Sequence, residues 1–293
     1  MTLEWLGGSM VALVTPFKED RLDEDAFASL IDRQIDGGTS ALVIAGTTGE
    51  SAALTEEEHV DVVAKAVKLA AGRIPVIAGV GANVTRDAVA LAKKTQDAGA
   101  DALMATTGYY NKPSVTGLLR HYELLGEATP LPVIVYNVPS RTASDLSEEL
   151  VAELAMLPTM AALKDASGDL ARMARHRINC PKEFVFLSGE DITAVGFNAM
   201  GGAGCISVSA NVAPKLCAEM QAACAAGDYT KAVEIQDKLT PLHDAMFSDA
   251  SPAPAKYALS KLGLCEESLR LPLVPANEKA RALVDEALAS LDL

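Results

Sequence analysis

Lys164 is the residue whose position most clearly predicts chemistry. It is the only cation in the apolar segment M-A-A-L-K-D-A at residues 160–166, which has the length of a buried strand. Burial disfavours the charged ammonium form of a lysine, and the neutral amine is the nucleophile that forms a Schiff base with a carbonyl compound. The alternative is that the head group of Lys164 reaches solvent at the strand end or pairs with Asp165.

Two further segments favour the chemical interpretation. They are G-T-T-G-E-S at residues 46–51 and Y-N-V-P-S-R-T at residues 136–142, and each follows a short apolar run. A tyrosine phenol is suited to moving protons near a reacting carbon, and small hydroxyls with backbone N–H groups let an anion approach closely. The three segments together predict a site for carbonyl chemistry.

The net charge of −14 limits the classes of partner. Such a chain repels a phosphate backbone, and no Lys/Arg-rich stretch offsets the charge, so we expect no nucleic-acid binding. A small anionic substrate must then be held by a locally basic pocket. Lys164 and Arg141 are the candidates for that pocket.

The composition is typical of a soluble globular protein. The chain has 293 residues, 49% of them hydrophobic, which is enough to bury a large core. The first ten residues have no basic region followed by a long apolar stretch, and no run approaches the roughly 18 apolar residues of a membrane span. We therefore expect a cytoplasmic protein that does not enter a membrane. The five cysteines form no C-x-x-C pair and the four histidines have no metal spacing, so we expect reduced cysteines and no metal site.

One pattern repeats eight times along the chain. Short apolar or β-branched runs, each typical of a strand, alternate with segments of helical period such as residues 56–71 and 85–98. Near-continuous apolar strands separated by helices indicate a parallel sheet that is covered on both faces. The eight predicted strands lie at residues 10–17, 41–46, 75–80, 100–105, 132–138, 160–166, 183–188 and 204–209.

The number and spacing of these units predict the fold. Eight βα units within about 210 residues match a (β/α)8 TIM barrel, which belongs to the α/β class. We expect residues 1–226 to form the catalytic barrel and residues 227–293 to form a C-terminal helical extension. A doubly wound open sheet is the alternative, but it would be expected to carry a G-x-G-x-x-G loop after its first strand, where this chain has T-P-F-K-E-D.

The barrel predicts where the chemistry lies. Active sites of such barrels lie at the carboxyl ends of the strands, and here four strands end in polar residues. Because alternate residues of a strand share a face, Lys164 shares one with Ala162, and Tyr136 shares one with Ile134. We therefore expect the amine and the phenol to project together toward the barrel mouth.

The motifs resemble the dihydrodipicolinate synthase family. The resemblance rests on G-T-T-G-E-S, Y-Y-N-K-P-S, Y-N-V-P-S-R-T, the lysine of L-K-D-A-S-G and G-C-I-S-V-S-A-N-V, in a common order and spacing over nearly the whole chain. It implies a class I aldolase-type lyase of lysine and diaminopimelate biosynthesis. Such an enzyme condenses pyruvate with L-aspartate-4-semialdehyde to give 4-hydroxy-tetrahydrodipicolinate. The wider family includes N-acetylneuraminate lyase, which shares the lysine and the Y-x-x-P pattern.

The resemblance also implies a role for each site residue. Lys164 forms an imine with pyruvate, so no metal or organic cofactor is required. Tyr136 moves protons, and Thr47 and Tyr110 complete a relay with it, Tyr110 reaching across from a neighbouring subunit. The implied substrate-binding residues are Thr48 and the backbone around Ile206 for the pyruvate carboxylate, Arg141 for the carboxylate of the aldehyde substrate, and Gly189 near the second substrate.

An assembly and an inhibitor are implied as well. A subunit-crossing Tyr110 requires at least a dimer, and the family pattern implies a homotetramer built from two tight dimers. Many family members are inhibited by L-lysine at a cleft in the dimer interface, and acidic groups suit a diamine. The matching positions are Ser51, Ala52, Glu56, His59, Asn83, Asp87 and Tyr109.

Two departures from the family pattern stand out. Gly108 occupies a position where relatives commonly have proline, which frees the backbone of the loop that presents Tyr110. The Asn-Pro dipeptide common in relatives is replaced by serine and proline at residues 251–252, a change that we place outside the site.

Two other functions use the same motifs. A retro-aldol lyase for sugar acids or another 2-keto acid would keep the imine chemistry and change the aldehyde, which Arg141 opposes. A small-molecule sensor would keep the barrel without catalysis. The joint presence of Lys164, Tyr136, Thr47 and Tyr110 opposes the sensor.

Overall fold

The computed structural model describes residue 3 and residues 5–293, and its centre is a closed barrel of parallel strands. Each barrel strand pairs with the next one along the chain, and the last strand closes the ring on the first. The predicted (β/α)8 barrel is confirmed. The strands are β1 (Gly8–Ala12), β4 (Ala41–Ile44), β5 (Val76–Gly79), β6 (Ala102–Thr106), β7 (Val133–Asn137), β8 (Met160–Asp165), β9 (Val185–Ser188) and β10 (Gly204–Ser207), with a separate hairpin of β2 (Phe17–Lys18) and β3 (Arg21–Leu22).

Helices connect the barrel strands and cover the outside of the barrel. They shield the outer faces of the strands, which the apolar strand sequences require. These helices are α1 (Glu24–Asp36), α2 (Glu56–Ala70), α3 (Thr85–Asp97), α4 (Val115–Glu127), the short α5 (Pro139–Thr142), α6 (Glu148–Leu154), α7 (Ala171–Asn179), α8 (Ala194–Ala199) and α9 (Pro214–Ala225).

Local sequence sets the ends of α2. The side chain of Thr55 accepts a hydrogen bond from the N–H of Glu58, and the carboxylate of Glu58 accepts one from the N–H of Thr55. This reciprocal pair satisfies two N–H groups that the first turn of a helix leaves free. At the other end Ala71 is left-handed, with φ of 50°, and Gly72 follows with φ of 72°. The helix therefore begins and ends where its capping residues predict.

Alternate residues of the strands supply two hydrophobic layers. Val133, Val135 and Leu163 face the surrounding helices, whereas Ile134 and Ala162 fill the barrel interior. All five side chains are buried, and full burial of a valine, leucine or isoleucine side chain contributes roughly 1.5–3 kcal/mol. The two layers fix the strands, and with them the residues at the strand ends.

The first strand is shorter than predicted. The apolar run at residues 10–17 predicts a single strand, but β1 ends at Ala12 and the chain enters the β2–β3 hairpin. Pro16 has no N–H group to donate to a strand ladder, so the pairing does not continue through it. Hydrophobicity alone does not reveal this break.

Three helices after residue 226 form the C-terminal extension, as the sequence predicts. α10 (Tyr229–Met246) packs on α8 and α9, and α12 (Glu278–Ser290) packs on α10 and α11 (Ala253–Lys261).

Among the described residues, no helix has the length and apolar character needed to cross a membrane. None of the five cysteines is paired in a disulfide in the structure.

Candidate active site

Lys164 and Tyr136 lie side by side near the carboxyl end of the barrel. Lys164 is in β8 and Tyr136 in β7, and the two residues are register partners in the parallel sheet. The side chain of Tyr136 belongs to the interior layer, and Nζ of Lys164 lies 4.0 Å from the centroid of its ring. Lys164 is only 4% exposed. The structure thus brings the amine and the phenol together, as the alternation of the strands predicts.

Asp165 is not the partner of Lys164. Its Oδ1 accepts a hydrogen bond from the N–H of Ser167 at 2.8 Å, and its Oδ2 lies 3.3 Å from Nε of Arg172 on α7. Adjacent residues of a strand face opposite ways, so Asp165 points to the helices while Lys164 points inward. The alternative in which Lys164 pairs with Asp165 or reaches bulk solvent is therefore wrong.

Gly189 leaves the space in which Lys164 lies. This residue directly follows β9, and a Cβ atom there would lie 2.7 Å from Cβ of Ala166 and 3.1 Å from Cε of Lys164. Its N–H donates to the carbonyl of Asp165 at 2.7 Å, which fixes the two strand ends together. The residue predicted for the second substrate's site therefore lies next to the lysine.

The threonine turn, residues 46–51, follows β4 at the same end of the barrel. The N–H of Glu50 donates to the carbonyl of Thr47 at 3.1 Å, which closes a tight turn around Thr48. Thr48 is buried, whereas Thr47 is partly exposed. The two predicted threonines are therefore held in one hydrogen-bonded turn.

Ile206 lies in β10, on the interior face of the barrel. Just beyond it, Oδ2 of the buried Asp191 accepts hydrogen bonds from the N–H groups of Val208 at 2.9 Å and Ser209 at 3.2 Å. Charge-assisted bonds of this kind hold a backbone segment firmly. Asp191 thus fixes the backbone predicted to bind the pyruvate carboxylate, a role that the sequence did not reveal.

A cavity of about 660 Å³ opens beside the barrel mouth. Its walls include Thr47 and the exposed Arg141 on α5, while Lys164 and Tyr136 are buried further inside. Val138 borders both the cavity and the barrel interior. The predicted lysine-cleft residues all line this cavity: Ser51, Ala52, Glu56, His59, Asn83, Asp87 and Tyr109.

The position of Ser251 differs from the one predicted. It is buried and lines the same cavity as Thr47 and Arg141. The departure from the family pattern at residues 251–252 therefore lies at the site, and its placement outside the site was wrong. The extension returns to the barrel mouth here, which spacing along the sequence does not indicate.

Glu190 is a charged residue near Lys164 and Arg141 for which the sequence alone did not reveal a role. Burial raises the pKa of the Glu190 carboxyl and the neighbouring Asp191 adds to this, whereas the positive charges of Lys164 and Arg141 oppose it. The carboxyl therefore lies within electrostatic reach of both cations. Its position at the polar end of the seventh barrel strand, directly after Gly189, was the available signal.

Tyr110 does not enter the site within one chain. Its side chain is 92% exposed and its backbone is left-handed, with φ of 74°. The N–H of the preceding Tyr109 donates to Oδ1 of Asn83, which ties this loop to the cavity wall. The role of Tyr110 across a subunit boundary stays a prediction.

Two acidic residues of the predicted lysine cleft already have cationic partners. Lys94 on α3 forms an ion pair with Glu56, and Nε of Arg86 lies 3.1 Å from Oδ1 of Asp87. His59 is buried, with its Nε2 hydrogen-bonded to a backbone carbonyl of β5, and burial lowers its pKa. The cavity therefore offers less uncompensated negative charge than the sequence suggests.

Comparison with known proteins decides the family. A family model described as the dihydrodipicolinate synthetase family matches residues 5–291. The chain belongs to this family. It is 51% identical to the 4-hydroxy-tetrahydrodipicolinate synthase of Phenylobacterium zucineum over 286 residues, which are 98% of this chain and 97% of the relative.

Solved structures of family members superpose closely on the chain. The chloride-inhibited dihydrodipicolinate synthase of Acinetobacter baumannii in complex with pyruvate has a TM-score of 0.95 and 41% identity, covering 98% of this chain and 99% of that one. The enzyme of Cyanidioschyzon merolae with lysine bound has a TM-score of 0.95 and 34% identity, covering 99% of both chains. The predicted family and the predicted lyase class are confirmed.

Proposed function

We propose that this chain condenses pyruvate with L-aspartate-4-semialdehyde to 4-hydroxy-tetrahydrodipicolinate, by way of a Schiff base on Lys164. The observation that carries the proposal is the buried pair of Lys164 and Tyr136 at the carboxyl end of the barrel. The chain that contains this pair matches a 4-hydroxy-tetrahydrodipicolinate synthase over nearly the full length of both proteins. The reaction belongs to lysine and diaminopimelate biosynthesis.

The chemistry proceeds through three bond-forming stages: imine formation on the lysine, carbon–carbon bond formation and ring closure. The neutral amine of Lys164 attacks the keto carbon of pyruvate, and loss of water gives an imine. Loss of a methyl proton then gives an enamine, whose carbon attacks the aldehyde of the second substrate, and the resulting alkoxide takes up a proton. Finally the amino group of the adduct attacks the imine carbon, closes the six-membered ring and releases Lys164 as the free amine.

Tyr136 is the group that moves the protons. Imine formation, loss of the methyl proton and protonation of the alkoxide each require a positioned acid or base close to the reacting carbon. The phenol of Tyr136 is the titratable side chain paired in register with Lys164. Thr47 on the cavity wall and Tyr110 from a second subunit complete the relay.

Two sets of groups hold the two substrate carboxylates. The hydroxyl of Thr48 and the backbone beside Ile206 bind the pyruvate carboxylate, since small hydroxyls and N–H groups permit close approach to an anion. Arg141 binds the carboxylate of the semialdehyde, for which the planar guanidinium offers two parallel hydrogen bonds. Gly189 lets the side chain of Lys164 lie close to the end of β9, next to the place proposed for the second substrate.

The proposed reaction uses no metal or organic cofactor, because the imine serves as the electron sink. No group of three or more His, Cys, Asp or Glu residues in the described part of the chain is arranged to hold a metal ion. Protein dialysed against a chelator is expected to keep its full rate of condensation. Loss of the rate, with recovery on adding back a divalent metal, would contradict this.

Paired assays with two substrates test the function. Purified protein is supplied with pyruvate and L-aspartate-4-semialdehyde, and separately with N-acetylneuraminate. We expect condensation with the semialdehyde and no cleavage of the sugar acid. Arg141→Ala should raise KM for the semialdehyde and leave KM for pyruvate unchanged. Cleavage of N-acetylneuraminate without condensation would refute the proposal in favour of a retro-aldol lyase.

The proposed assembly is a homotetramer of two tight dimers in which Tyr110 acts across the dimer interface. The exposure of its aromatic ring in the single chain supports a contact of Tyr110 with a second chain. Complementation tests it: Tyr110→Phe and Lys164→Ala are mixed under conditions that exchange subunits. Mixed dimers carry one intact site and should regain activity that neither variant has alone. No gain, despite subunit exchange verified by native mass spectrometry, would oppose the crossing.

We propose L-lysine as an inhibitor at the cavity lined by Glu56 and Asp87. The support is the lining itself and the lysine-bound relative. Because Lys94 already neutralises Glu56, we expect Lys94→Met to bind L-lysine more tightly than the native chain does. Turnover measured with added L-lysine decides the matter. An unchanged rate at millimolar L-lysine in both proteins would remove the proposal.

A further inference from the structure

A buried ion pair joins the C-terminal extension to the threonine turn. Lys256 on α11 and Glu50 at the end of the G-T-T-G-E motif form a salt bridge, and both side chains are 0% exposed. Nζ of Lys256 also donates to the carbonyl of Ser268 at 2.7 Å and lies 4.3 Å from the ring centroid of Phe17. Residues 206 positions apart in the chain therefore meet directly behind the candidate site.

Arg270 extends the same connection. Its backbone N–H donates to Oε2 of Glu50 at 3.1 Å, so both carboxylate oxygens of Glu50 are bound by the extension. Its guanidinium donates to the carbonyl of Ala53 at 3.0 Å and to both carboxylate oxygens of Glu58. The extension thus holds the threonine turn at Glu50 and the chain after it at Ala53 and Glu58.

The backbone of Glu50 requires such support. Its φ of 55° lies in the left-handed region, which residues other than glycine adopt only when the surroundings enforce it. The N–H of this same residue closes the turn on the carbonyl of Thr47. Thr15 holds the other side of the turn by donating from Oγ1 to the carbonyl of Gly49 at 2.7 Å. The conformation around Thr47 and Thr48 therefore depends on where the Glu50 carboxylate is held.

Stability alone is a weak explanation for the pair. Taking two charges out of water is costly, and hydrophobic residues of similar volume often stabilise a protein at least as well as a buried ion pair. Burial lowers the pKa of Lys256, and the negative charge of Glu50 opposes this. What an apolar pair cannot supply is the set of directed bonds that fixes Glu50.

We propose that Glu50 and Lys256 are positioning residues: the C-terminal extension, through this pair, sets the position of Thr47 and Thr48 and so the binding of the keto-acid carboxylate. The assignment of the bound carboxylate rests on the proposed function. The pair touches no substrate and acts through the turn.

The test uses isosteric variants in the full-length protein. Glu50→Gln and Lys256→Met each remove one charge, and the double variant removes both, so that no uncompensated charge stays buried if a single variant folds poorly. Lys261→Met is the matched control, because Lys261 lies on the same helix and pairs with Asp285 at the surface, where both side chains are nearly half exposed. Circular dichroism verifies that each protein is folded at the assay temperature.

The kinetic readout separates positioning from folding. A merely structural defect reduces the amount of active protein and lowers kcat at constant KM. The proposal predicts that KM for pyruvate rises about 10-fold or more in the double variant, the effect of losing interactions in the bound state. KM for the semialdehyde, which Arg141 binds, should stay within twofold, and Lys261→Met should match the native chain. An unchanged KM for pyruvate in a folded double variant would overturn the proposal.

Hydrogen exchange provides a readout that is independent of the reaction. Peptides covering residues 46–54 should exchange faster in the double variant than in the native chain, while peptides from the barrel strands exchange as in the native chain, with no change anywhere in Lys261→Met. If the native protein does not react with pyruvate, the proposed function fails, and this comparison alone still decides whether the pair holds the turn. Unchanged exchange over residues 46–54 would refute the positioning role.

Discussion

The space around Gly189 yields a quantitative prediction. In Gly189→Ala the new Cβ would lie 2.7 Å from Cβ of Ala166 and 3.1 Å from Cε of Lys164, whereas carbon atoms normally approach to about 3.5–4.0 Å. The strand ends cannot separate easily, because the N–H of Gly189 is bonded to the carbonyl of Asp165 and the N–H of Ala166 to that of Asn137. The flexible lysine must therefore move by about 0.5–1 Å, and the shorter contact with Ala166 is relieved only by a strained shift of the backbone.

That displacement sets the expected size of the effect. A misplacement of about 1 Å at a reacting group costs about 100-fold in rate, so we expect kcat/KM to fall about 10- to 100-fold, or roughly 1.4–2.7 kcal/mol. Overpacking of a buried contact should also lower the free energy of unfolding by about 1–3 kcal/mol. Both quantities follow from the same two short contacts.

Turnover and urea denaturation measure the two effects. Gly117→Ala is the control, since its added Cβ would meet nothing closer than 3.5 Å and lies within α4. This control should keep native activity and gain up to about 1 kcal/mol in the free energy of unfolding from its higher helix propensity. A folded Gly189→Ala protein with native kcat/KM would refute the packing of Lys164 against this position.

Three further predictions concern a proton donor, a buried hydroxyl and a surface carboxylate. Tyr136→Phe keeps the ring beside the amine but loses the phenol, so kcat should fall about 10²–10⁴-fold; a native pH–rate profile would oppose the role. Tyr122→Phe removes the hydrogen bond from its buried hydroxyl to the carbonyl of Ala105, so urea unfolding should show a loss of about 0.5–1.5 kcal/mol with kcat unchanged. Hydrogen bonds from Arg270 lower the pKa of Glu58 from 4.5 to about 2, so its stabilisation is present above pH 4.5 and is lost as the pH falls toward 2. After allowance for solvent screening, the free energy of unfolding at pH 7, measured with urea, should be about 1 kcal/mol higher for the native chain than for Glu58→Gln. The difference should vanish near pH 2. A difference that does not change with pH would contradict the assignment.

Features that depend on local periodicity could be predicted from the sequence. Tyr136 lies two residues after Ile134, and Lys164 lies two residues after Ala162, so this spacing predicts that the phenol and the amine face the barrel interior. The barrel fold predicts in addition that both lie at the carboxyl end of the strands. Thr55 likewise marks the start of α2, because its capping interactions lie within four residues. In each case the determining contacts are close along the chain or repeat regularly.

Features that depend on the path of the chain in space could not be predicted. No sequence pattern marks Lys256 and Glu50 as partners. They meet only because the extension returns to the barrel mouth. The same return puts Ser251 on the cavity wall. Tyr110 depends on a second chain, so neither one sequence nor one subunit determines its surroundings.

Trapping of the imine decides whether Lys164 forms a Schiff base with pyruvate. The protein is incubated with pyruvate and reduced with borohydride. Its intact mass is then measured by mass spectrometry, and the modified residue is located by peptide mapping. We predict one covalent pyruvate adduct per chain, located on Lys164 and absent from Lys164→Ala. An unmodified native protein, or an adduct on the other fully buried lysine, Lys256, would contradict the account.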